Sequence, residues 1–373
     1  MGREALDYWL AIGMIDGLGL RGINRLLESC GDPEKIFGLS LTELVKRHGL
    51  RQEIALAISS FAGWGKIAEE REKAERSGIK IIPRFDEQYP KKLLNIYDPP
   101  PILYAKGNLA VLNLPAVAIV GSRKASIHGR NFAAKIAGNL AEQGVAVISG
   151  MAIGIDGFAH EGCLSKGGKT IAVWGSGLDV CYPSRHRNLA ERIVIDGLLI
   201  SEFPLGAKPE KQNFPRRNRL ISGLAVGVLV VEASLKSGSL LTARFALEQG
   251  REVFAVPGLP ASPESSGSNW LLKEGARLVE NVDDIFFCLP ELAGKLNFKP
   301  VISDFSPGES STYSEEQQML LELMGGTIHD QDELQTMTSW PHDKLSRVLL
   351  ELELMDVVWR IGPGRFQVKN FPR

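Results

Sequence analysis

The sequence of 373 residues has little that would support a metal centre, a disulfide framework or a membrane anchor. Its four cysteines lie far apart without a Cys-x-x-Cys pair, which favours reduced thiols in a cytoplasmic protein over a zinc ribbon. Its six histidines never occur in a metal-binding spacing such as His-Glu-x-x-His. The longest nearly apolar stretch, residues 220–231, is well short of the ~20 residues that span a bilayer, and the N-terminus lacks the apolar core of a signal peptide. We therefore expect no metal, no cofactor and no membrane contact.

Net charge is also nearly absent, since 43 Lys and Arg face 44 Asp and Glu. On average the chain is neither a polybasic nucleic-acid coat nor an acidic tail. The average hides a split, because residues 301–373 carry 6 basic and 12 acidic side chains, whereas the first 300 carry 37 and 32. A surface for a polyanion is therefore expected in the first 300 residues.

The first segment of the chain, residues 1–64, is predicted to form a small helical domain. Gly17 and Gly19 precede a helix and resemble a helix-hairpin-helix turn, whose backbone N–H groups can meet a DNA phosphate. The same glycines can equally serve only to permit tight turns. Further on, residues 89–107 include three consecutive prolines, which predict an extended connector into the main sheet.

From Ala116 onward, short β-branched runs alternate with stretches of helical length. The predicted strands are Val117–Val120, Val145–Ile148, Ile171–Trp174, Leu198–Ile200, Val226–Val231 and Val253–Val256. Fully apolar strands separated by helices predict an α/β fold, a Rossmann-like, doubly wound and mostly parallel sheet covered on both faces. The ligand of such a sheet lies beyond the carboxyl ends of its strands. This domain is expected to span residues 65–295.

The last part of the chain is predicted to be a winged helix, residues 313–373, after a linker at 296–312 rich in Pro, Ser and Gly. Helices are expected from Ser314, over 331–338 and over 343–355, followed by a hairpin around a Gly-Pro-Gly turn. The presumed recognition helix from Asp343 has two cations and four acids through Asp356, which opposes duplex DNA and favours a protein-contact or regulatory role.

Cationic and small polar residues follow the predicted strands. Gly121-Ser-Arg follows the first strand, and Lys236-Ser-Gly supplies a cation and hydroxyls at a later strand end. The densest basic stretch is 211–219, with four cations and no acid around Phe214 and Asn218. Guanidinium groups suit phosphate, and an aromatic ring can stack on an unpaired base. Together these strand ends predict a crevice for phosphates or nucleic acid, although glycines also close strand–helix turns without any ligand.

Conventional cofactor and catalytic motifs are poorly matched. The first turn lacks the Gly-x-Gly-x-x-Gly of a dinucleotide site, and the nearest P-loop candidate, ending at Thr170, has Cys163 at its leading Gly position. Asp156 is expected to be a helix N-cap and His160 a packed or hydrogen-bonded side chain. Trp174 is expected in the core.

These residues collectively resemble the DNA-processing protein A family (DprA, also called Smf) over nearly the whole chain. The matching motifs include Asp98-Pro-Pro, Val120-Gly-Ser-Arg, Ser149-Gly-x-Ala-x-Gly-Ile-Asp, Asn213-Phe-Pro-x-Arg217-Asn-Arg, Glu232-Ala, Ser237-Gly-Ser-Leu and Val256-Pro-Gly. The resemblance implies a sterile-alpha-motif-like N-terminal domain, an extended Rossmann-like domain and a C-terminal winged helix.

The resemblance also implies a non-enzymatic function. Family members bind single-stranded DNA, displace or bypass single-strand-binding protein, load the RecA recombinase in natural transformation, and form homodimers through the Rossmann-like domain. The expected DNA-binding residues are Gly121, Ser122, Arg123, Phe214, Arg216, Arg217, Asn218, Arg219, Lys236, Ser237 and Gly238. Arg216 falls where the family pattern is loose.

Two other classes of function remain as alternatives. The first is a nucleotide phosphoribohydrolase of the lysine-decarboxylase-like group, which has a related sheet and a Pro-Gly-Gly-x-Gly-Thr turn followed by paired acids. Here the comparable turn begins at Ser237, and Arg244 stands where the acids would follow. The second is a purely structural interaction protein, which would bind no oligonucleotide at low salt.

Overall fold

The computed structural model describes residues 4–289, 292, 313–325, 328–354, 357–362 and 364–368. The chain divides into two compact units, Met1–Phe298 and Lys299–Arg373, so the N-terminal helices belong to the same unit as the large sheet. The predicted linker, 296–312, lies outside the described residues. No described helix combines the length and the apolarity needed to cross a bilayer.

The first unit begins with a cluster of short helices. They are α1 (Ala5–Gly13), α2 (Leu20–Cys30), α3 (Pro33–Phe37), α4 (Leu41–Lys46) and α5 (Gln52–Ser59). Local sequence sets their starts: Asp32 caps α3, whose first residue is a proline, and Ser40 forms a capping box with Glu43. Ile12 and Leu26 are among the side chains buried in their shared core, which agrees with the predicted small helical region.

Helix α6 (Trp64–Arg76) leads into a nine-stranded sheet. Its strands are β1 (Lys80–Pro83), β2 (Ile102–Gly107), β3 (Ala116–Val120), β4 (Ala146–Ser149), β5 (Thr170–Trp174), β6 (Leu198–Ser201), β7 (Gly227–Val230), β8 (Glu252–Ala255) and β9 (Arg277–Leu278). They lie in the order β1-β2-β6-β5-β4-β3-β7-β8-β9. From β6 to β9 all neighbours are parallel, whereas β2 is antiparallel to both β1 and β6.

Helices cover both faces of this sheet. The remaining helices of the unit are α7 (Lys91–Leu94), α8 (Ile127–Glu142), α9 (Ile155–Ser165), α10 (Arg187–Asp196), α11 (Asn213–Leu224), α12 (Ser239–Glu248), α13 (Ser266–Lys273) and α14 (Val282–Cys288). Along β3, Val117 and Ile119 pack into one core and Ala118 and Val120 into another, as expected for a strand buried on both sides. The predicted doubly wound α/β fold is confirmed, and Trp174 lies in the core as predicted.

The prediction of an extended connector over 89–107 is wrong for two of its parts, because residues 91–94 form the short helix α7 and residues 102–107 form β2 inside the sheet. The prolines at 99–101 end just before the strand, so none of its ladder N–H groups is lost. The carbonyl of Pro101 accepts a hydrogen bond from the Arg84 backbone N–H at 3.0 Å. A proline run therefore marks where this strand begins.

The direction in which the chain adds strands reverses at β3. The chain builds outward through β4, β5 and β6 on one side, then returns to place β7, β8 and β9 on the other. After β3 the chain passes to β4 on one side, and after β7 it passes to β8 on the other. A crevice therefore lies between the carboxyl ends of β3 and β7. In open parallel sheets this switch point is the position of the ligand site.

The second unit is a winged helix, as predicted. Its elements are α15 (Glu315–Met324), β10 (Ile328–Asp330), α16 (Gln331–Thr338), α17 (His342–Leu354), β11 (Val358–Gly362) and β12 (Arg365–Val368). Ser314 caps α15 through a capping box with Gln317. Strand β10, which the sequence reading missed, pairs with β12 to complete a three-stranded sheet. Pro363 of the predicted turn lies outside the described residues.

His160 of α9 is fully buried, and its Nδ1 lies 2.7 Å from the hydroxyl of Thr170. This confirms the predicted hydrogen-bonded histidine. Burial lowers the pKa of His160 to about 3, because the charged imidazolium would lose its hydration. The folded protein therefore holds a neutral histidine that becomes protonated in the unfolded chain below about pH 6.5.

This difference predicts that the protein loses stability as the pH falls. Between about pH 7.5 and about pH 5, His160 should reduce the free energy of unfolding by about 2 kcal/mol. Urea titrations at the two pH values should show that His160→Asn removes this part of the pH dependence, whereas His128→Asn, at an exposed position, retains it. Equal pH dependence in both variants would contradict the assignment.

Candidate nucleic-acid interface

A groove of about 750 Å³ lies at the switch point of the sheet. It is formed by the loops that follow β3, β4 and β7, by Tyr182 beyond β5, and by the first half of α11. Eight of the eleven residues predicted from sequence line it, namely Gly121, Ser122, Arg123, Phe214, Arg217, Asn218, Ser237 and Gly238. The groove therefore brings together segments that are more than a hundred residues apart in the sequence.

Phe214 is the aromatic centre of the groove. Its half-buried ring lies 5.6 Å from the ring of Tyr182, and the guanidinium of Arg123 lies 5.3 Å from its centroid. Arg123 itself is exposed. An aromatic platform beside an exposed cation can hold the face of an unpaired base and its phosphate together. Tyr182, which is not among the predicted site residues, completes this platform.

The charge of the groove is mainly positive. Arg123, Lys124, Lys211 and Arg217 line it, and the one acid among its lining residues, Asp156, is buried. Neither Lys211 nor Lys124 is among the eleven predicted site residues; Lys211 begins the predicted basic stretch 211–219, whereas no contact is predicted for Lys124. The feature of the sequence that indicates Lys124 is its position directly after Arg123, in the loop that follows β3. Such a surface favours an anion.

Arg217 contributes a fixed charge from beneath the groove. It is only 3% exposed, and its Nη1 donates to the carbonyl of Gly150 at 2.5 Å and to the carbonyl of Val173. Burial lowers the pKa of Arg217 to about 10, so the guanidinium remains charged at neutral pH. Because it is buried and its Nη1 is held by carbonyls at the ends of β4 and β5, Arg217 supports the groove electrostatically and offers little surface for direct contact.

Asp156 is not the N-cap of α9, as the sequence suggested. Gly154, with a φ of 86°, takes that position, and the Asp156 Oδ2 accepts hydrogen bonds from the N–H groups of Gly150 and Ala152 at 3.1 and 3.3 Å. Asp156 thus folds the loop after β4 back over the helix start. Burial raises the pKa of the Asp156 carboxyl group above its ordinary value, and the positive charge of the nearby Arg217 offsets only part of this rise.

Glu232, directly beyond β7, fixes the loop that carries Ser122 and Arg123. Its backbone carbonyl accepts the Ser122 N–H at 2.7 Å, and its carboxylate accepts the Ser126 N–H at 2.9 Å and the Ser126 hydroxyl. The loop from Gly121 to Ser126 is therefore held at both ends by one residue. In the sequence Glu232 stands out only as part of the Glu232-Ala motif, which predicts no role for it.

The Glu232 carboxylate also changes what the N-terminus of α8 can bind. In dinucleotide-binding sheets, the helix after the first parallel strand receives a pyrophosphate at this point. Here a Cβ on Gly129 in the first turn would lie 2.4 Å from the Glu232 carboxyl carbon, so the carboxylate sits directly against that turn. Glu232 thus already supplies an anionic group at this helix start, and Arg123 and Lys124 of the preceding loop line the groove.

The loop after β7 closes the other wall of the groove. The Asn218 side-chain amide donates to the Gly238 carbonyl at 3.2 Å, and the hydroxyls of Ser237 and Ser239 lie 2.7 Å apart. Helix α12 begins here with Gly238 as its N-cap, and the Ser237 hydroxyl accepts a hydrogen bond from the Ser239 N–H at 3.3 Å. Lys236 is exposed on the same loop but is not among the residues lining the groove.

Arg216 and Arg219 are not brought into the groove, although the sequence predicted both as contacts. They lie on the opposite face of α11, where Arg219 Nη2 contacts Glu202 Oε2 at 2.6 Å and Arg216 Nη2 lies 3.7 Å from the same oxygen. The Arg219 side chain is 3% exposed, whereas that of Arg216 is 51% exposed. Nε of Arg219 also lies 3.2 Å from the Asp98 carboxylate. Arg219 is therefore placed to hold two acids inside the fold.

This placement predicts opposite consequences for the two arginines. Arg219→Ala should lower the free energy of unfolding by about 3–5 kcal/mol, because it removes the buried cation that is hydrogen-bonded to the buried Glu202 carboxylate. Arg216→Ala, which removes a more exposed cation of the same cluster, should cost less than about 1 kcal/mol. Urea denaturation of the two variants measures both values, and similar small losses would refute the buried pair.

Comparison with known proteins agrees with this architecture. The family model described as DNA recombination-mediator protein A matches residues 80–290, and that of the DprA winged helix domain matches 306–362. Protein Smf of Escherichia coli (strain K12) is 43% identical over 304 residues, covering 79% of each chain. DNA processing protein DprA of Bacillus subtilis (strain 168) is 39% identical over 259 residues, covering 68% of this chain and 86% of the relative.

Two solved structures are similar as well. The X-ray structure of DNA processing protein A from Streptococcus pneumoniae has a TM-score of 0.66 at 37% identity and covers 77% of this chain and 98% of that one. The structure of DNA processing protein A from Helicobacter pylori, solved to explain its single-stranded DNA binding mode, has a TM-score of 0.52 at 33% identity and covers 57% and 96%. The chain belongs to the DNA recombination-mediator protein A (DprA) family.

Proposed function

We propose that the switch-point groove binds single-stranded DNA. The observation that carries this proposal is the Phe214 ring, flanked by Tyr182 and Arg123 in a groove lined by cations. The single-stranded DNA binding described for the Helicobacter pylori relative supports it. Stacking on Phe214 requires a base whose face is free, which a duplex does not offer, and phosphates and base faces are common to all sequences. Binding should therefore be tolerant of sequence and sensitive to salt.

We further propose that the protein acts without catalysis, as a homodimeric mediator that delivers the bound strand, cleared of single-strand-binding protein, to the RecA recombinase. Membership of a recombination-mediator family supports this role. The winged helix is assigned a protein-contact role instead of duplex binding. On α17, Lys344 is paired with Glu316 at 2.7 Å, and Arg347 pairs with Glu316 and Glu351 at 3.1 Å. These cations are already neutralised by neighbouring acids.

The test of this function is a titration of the purified protein with single- and double-stranded oligonucleotides at two salt concentrations, with and without RecA. We expect tighter binding of the single strand at both salt concentrations and faster RecA filament formation in the presence of the protein. Equal affinity for both forms would contradict the groove assignment, and unchanged RecA assembly would contradict delivery. Release of a base from a nucleoside monophosphate would instead support the phosphoribohydrolase alternative, although Arg244 stands where that group has acids and pairs with Glu248.

Charge and stacking in the groove can be separated by two variants. Arg123→Ala should weaken binding of oligo(dT) and reduce the slope of log affinity against log salt by about 0.7, the value for one phosphate of a single strand. Phe214→Ala should weaken binding by about 1–3 kcal/mol with an unchanged slope. Phe214→Tyr, which keeps the ring, and Arg192→Ala, at an exposed position on α10, are the controls. A slope change in Phe214→Ala instead of Arg123→Ala would reverse the assignment.

Glu232 provides a test of loop positioning. Removing a negative charge near a DNA site should strengthen binding if only the net charge matters. Because Glu232 holds Ser122 and Ser126, we expect Glu232→Ala to weaken binding of oligo(dT) by about tenfold, ~1.4 kcal/mol. Glu248→Ala, which removes an exposed acid from α12, should leave binding unchanged or tighter. Tighter binding by Glu232→Ala would exclude the positioning role.

A further inference from the structure

A second cavity of about 590 Å³ lies away from the groove, between the start of α2 and the opposite face of α11. Its lining includes two features that the groove does not use, the Gly19 turn before α2 and Arg216. Leu18 and Phe203 contribute apolar walls, and Glu202 lies at its inner surface. We name it the α2 cavity.

The mouth of the α2 cavity has the chemistry of a phosphate site. Helix α2 begins there with Gly19 as N-cap and no side chain capping it, so its first N–H groups and the positive end of its dipole are available. Arg21, which is exposed, lies in the first turn, and the half-exposed Arg216 faces it from α11. Two guanidinium groups around a helix N-terminus favour a phosphate.

A second observation points to a ligand inside the cavity. The side chain of Glu202 is 2% exposed, yet among the described residues its Oε1 has no hydrogen-bond partner. Its Oε2 is occupied by Arg219. A buried carboxylate oxygen without a donor is unfavourable, so a group that donates to it gains affinity. The exocyclic amino group of a nucleobase is such a donor.

The rim of the α2 cavity carries an aromatic side chain. Tyr97 is 80% exposed, and the guanidinium of Arg21 lies 5.2 Å from its ring centroid. The next residue, Asp98, lines the cavity and lies close to Arg219. A tyrosine so exposed offers a free face on which a second base can stack.

We propose that the α2 cavity is a second binding site for single-stranded nucleic acid. One phosphate lies at the start of α2 between Arg21 and Arg216, an amino-bearing base turns its edge toward Glu202, and a neighbouring base stacks on Tyr97. This inference rests on the proposed function, because the strand is first held in the groove on the other face of α11. A strand long enough to pass from one face of α11 to the other would contact both sites.

The length of the oligonucleotide separates the two sites. A strand of about 6 nucleotides fills a single site, whereas one of about 25 nucleotides can reach both. We expect Arg21→Ala and Tyr97→Ala to weaken binding of the long strand by about fivefold to tenfold and to leave binding of the short strand unchanged. Arg25→Ala, which removes an exposed arginine one turn further along α2, is the matched control and should behave as the unmodified protein. The unmodified protein should also prefer long oligo(dC) to long oligo(dT), and Tyr97→Ala should keep part of that preference.

The outcomes distinguish this site from the groove. If binding of short strands depends on Arg123 but binding of long strands is unchanged in Arg21→Ala and Tyr97→Ala, the groove assignment is supported and the α2 cavity is not a nucleic-acid site. If short strands do not bind, the proposed function itself fails. The proposal would also be overturned if Arg21→Ala and Tyr97→Ala weakened binding of short and long strands equally. The same holds if these variants lost binding to a protein partner while their DNA affinity stayed unchanged. Equal affinity for long oligo(dC) and oligo(dT) would exclude the contact at Glu202.

Discussion

The groove depends on one residue that joins the two strands between which the sheet changes direction. Glu232 follows β7, yet its carbonyl and carboxylate hold both ends of the loop that follows β3. The parallel pairing of β3 with β7 brings the residue to this point. An internal carboxylate thus occupies the helix start that binds pyrophosphate in related sheets, and the cations of the loop turn outward. The groove of this nucleotide-type fold is thereby lined by exposed cations of that loop, as the proposed binding of a DNA backbone requires.

Helix α11 distributes one basic segment over two faces. Phe214, Arg217 and Asn218 face the groove, whereas Arg216 and Arg219 face Glu202. The division follows from helical geometry, since residues three and four apart share a face. Of these three arginines, Arg216 is exposed enough to contact a ligand. Arg217 is buried against carbonyl groups, and Arg219 is buried against acids. A count of cations in the sequence therefore overstates the positive charge that is exposed at the groove.

The sequence predicts the sheet well because its strands are short, fully apolar and separated by helices, a pattern with few alternative folds. It also predicts the groove, because residues after parallel strands meet at one edge. It does not predict which arginine faces the groove: Arg217 and Arg219 look alike, and their surroundings depend on Gly150 and Glu202, distant in sequence. The role of Glu232 likewise cannot be predicted from the sequence, because it depends on the pairing of β3 with β7. Strand β2 is not predicted either, because the three prolines before it indicate an extended connector.

The most direct test of the groove is hydrogen–deuterium exchange of the full chain with and without a short oligo(dT). We expect slower amide exchange in the three segments that line the groove, because the bound oligonucleotide covers their N–H groups. These segments are residues 121–126, 213–218 and 234–239. We expect no change over 342–354, which form helix α17 of the second unit. Protection confined to 342–354 with unchanged exchange in the three groove segments would contradict the central claim.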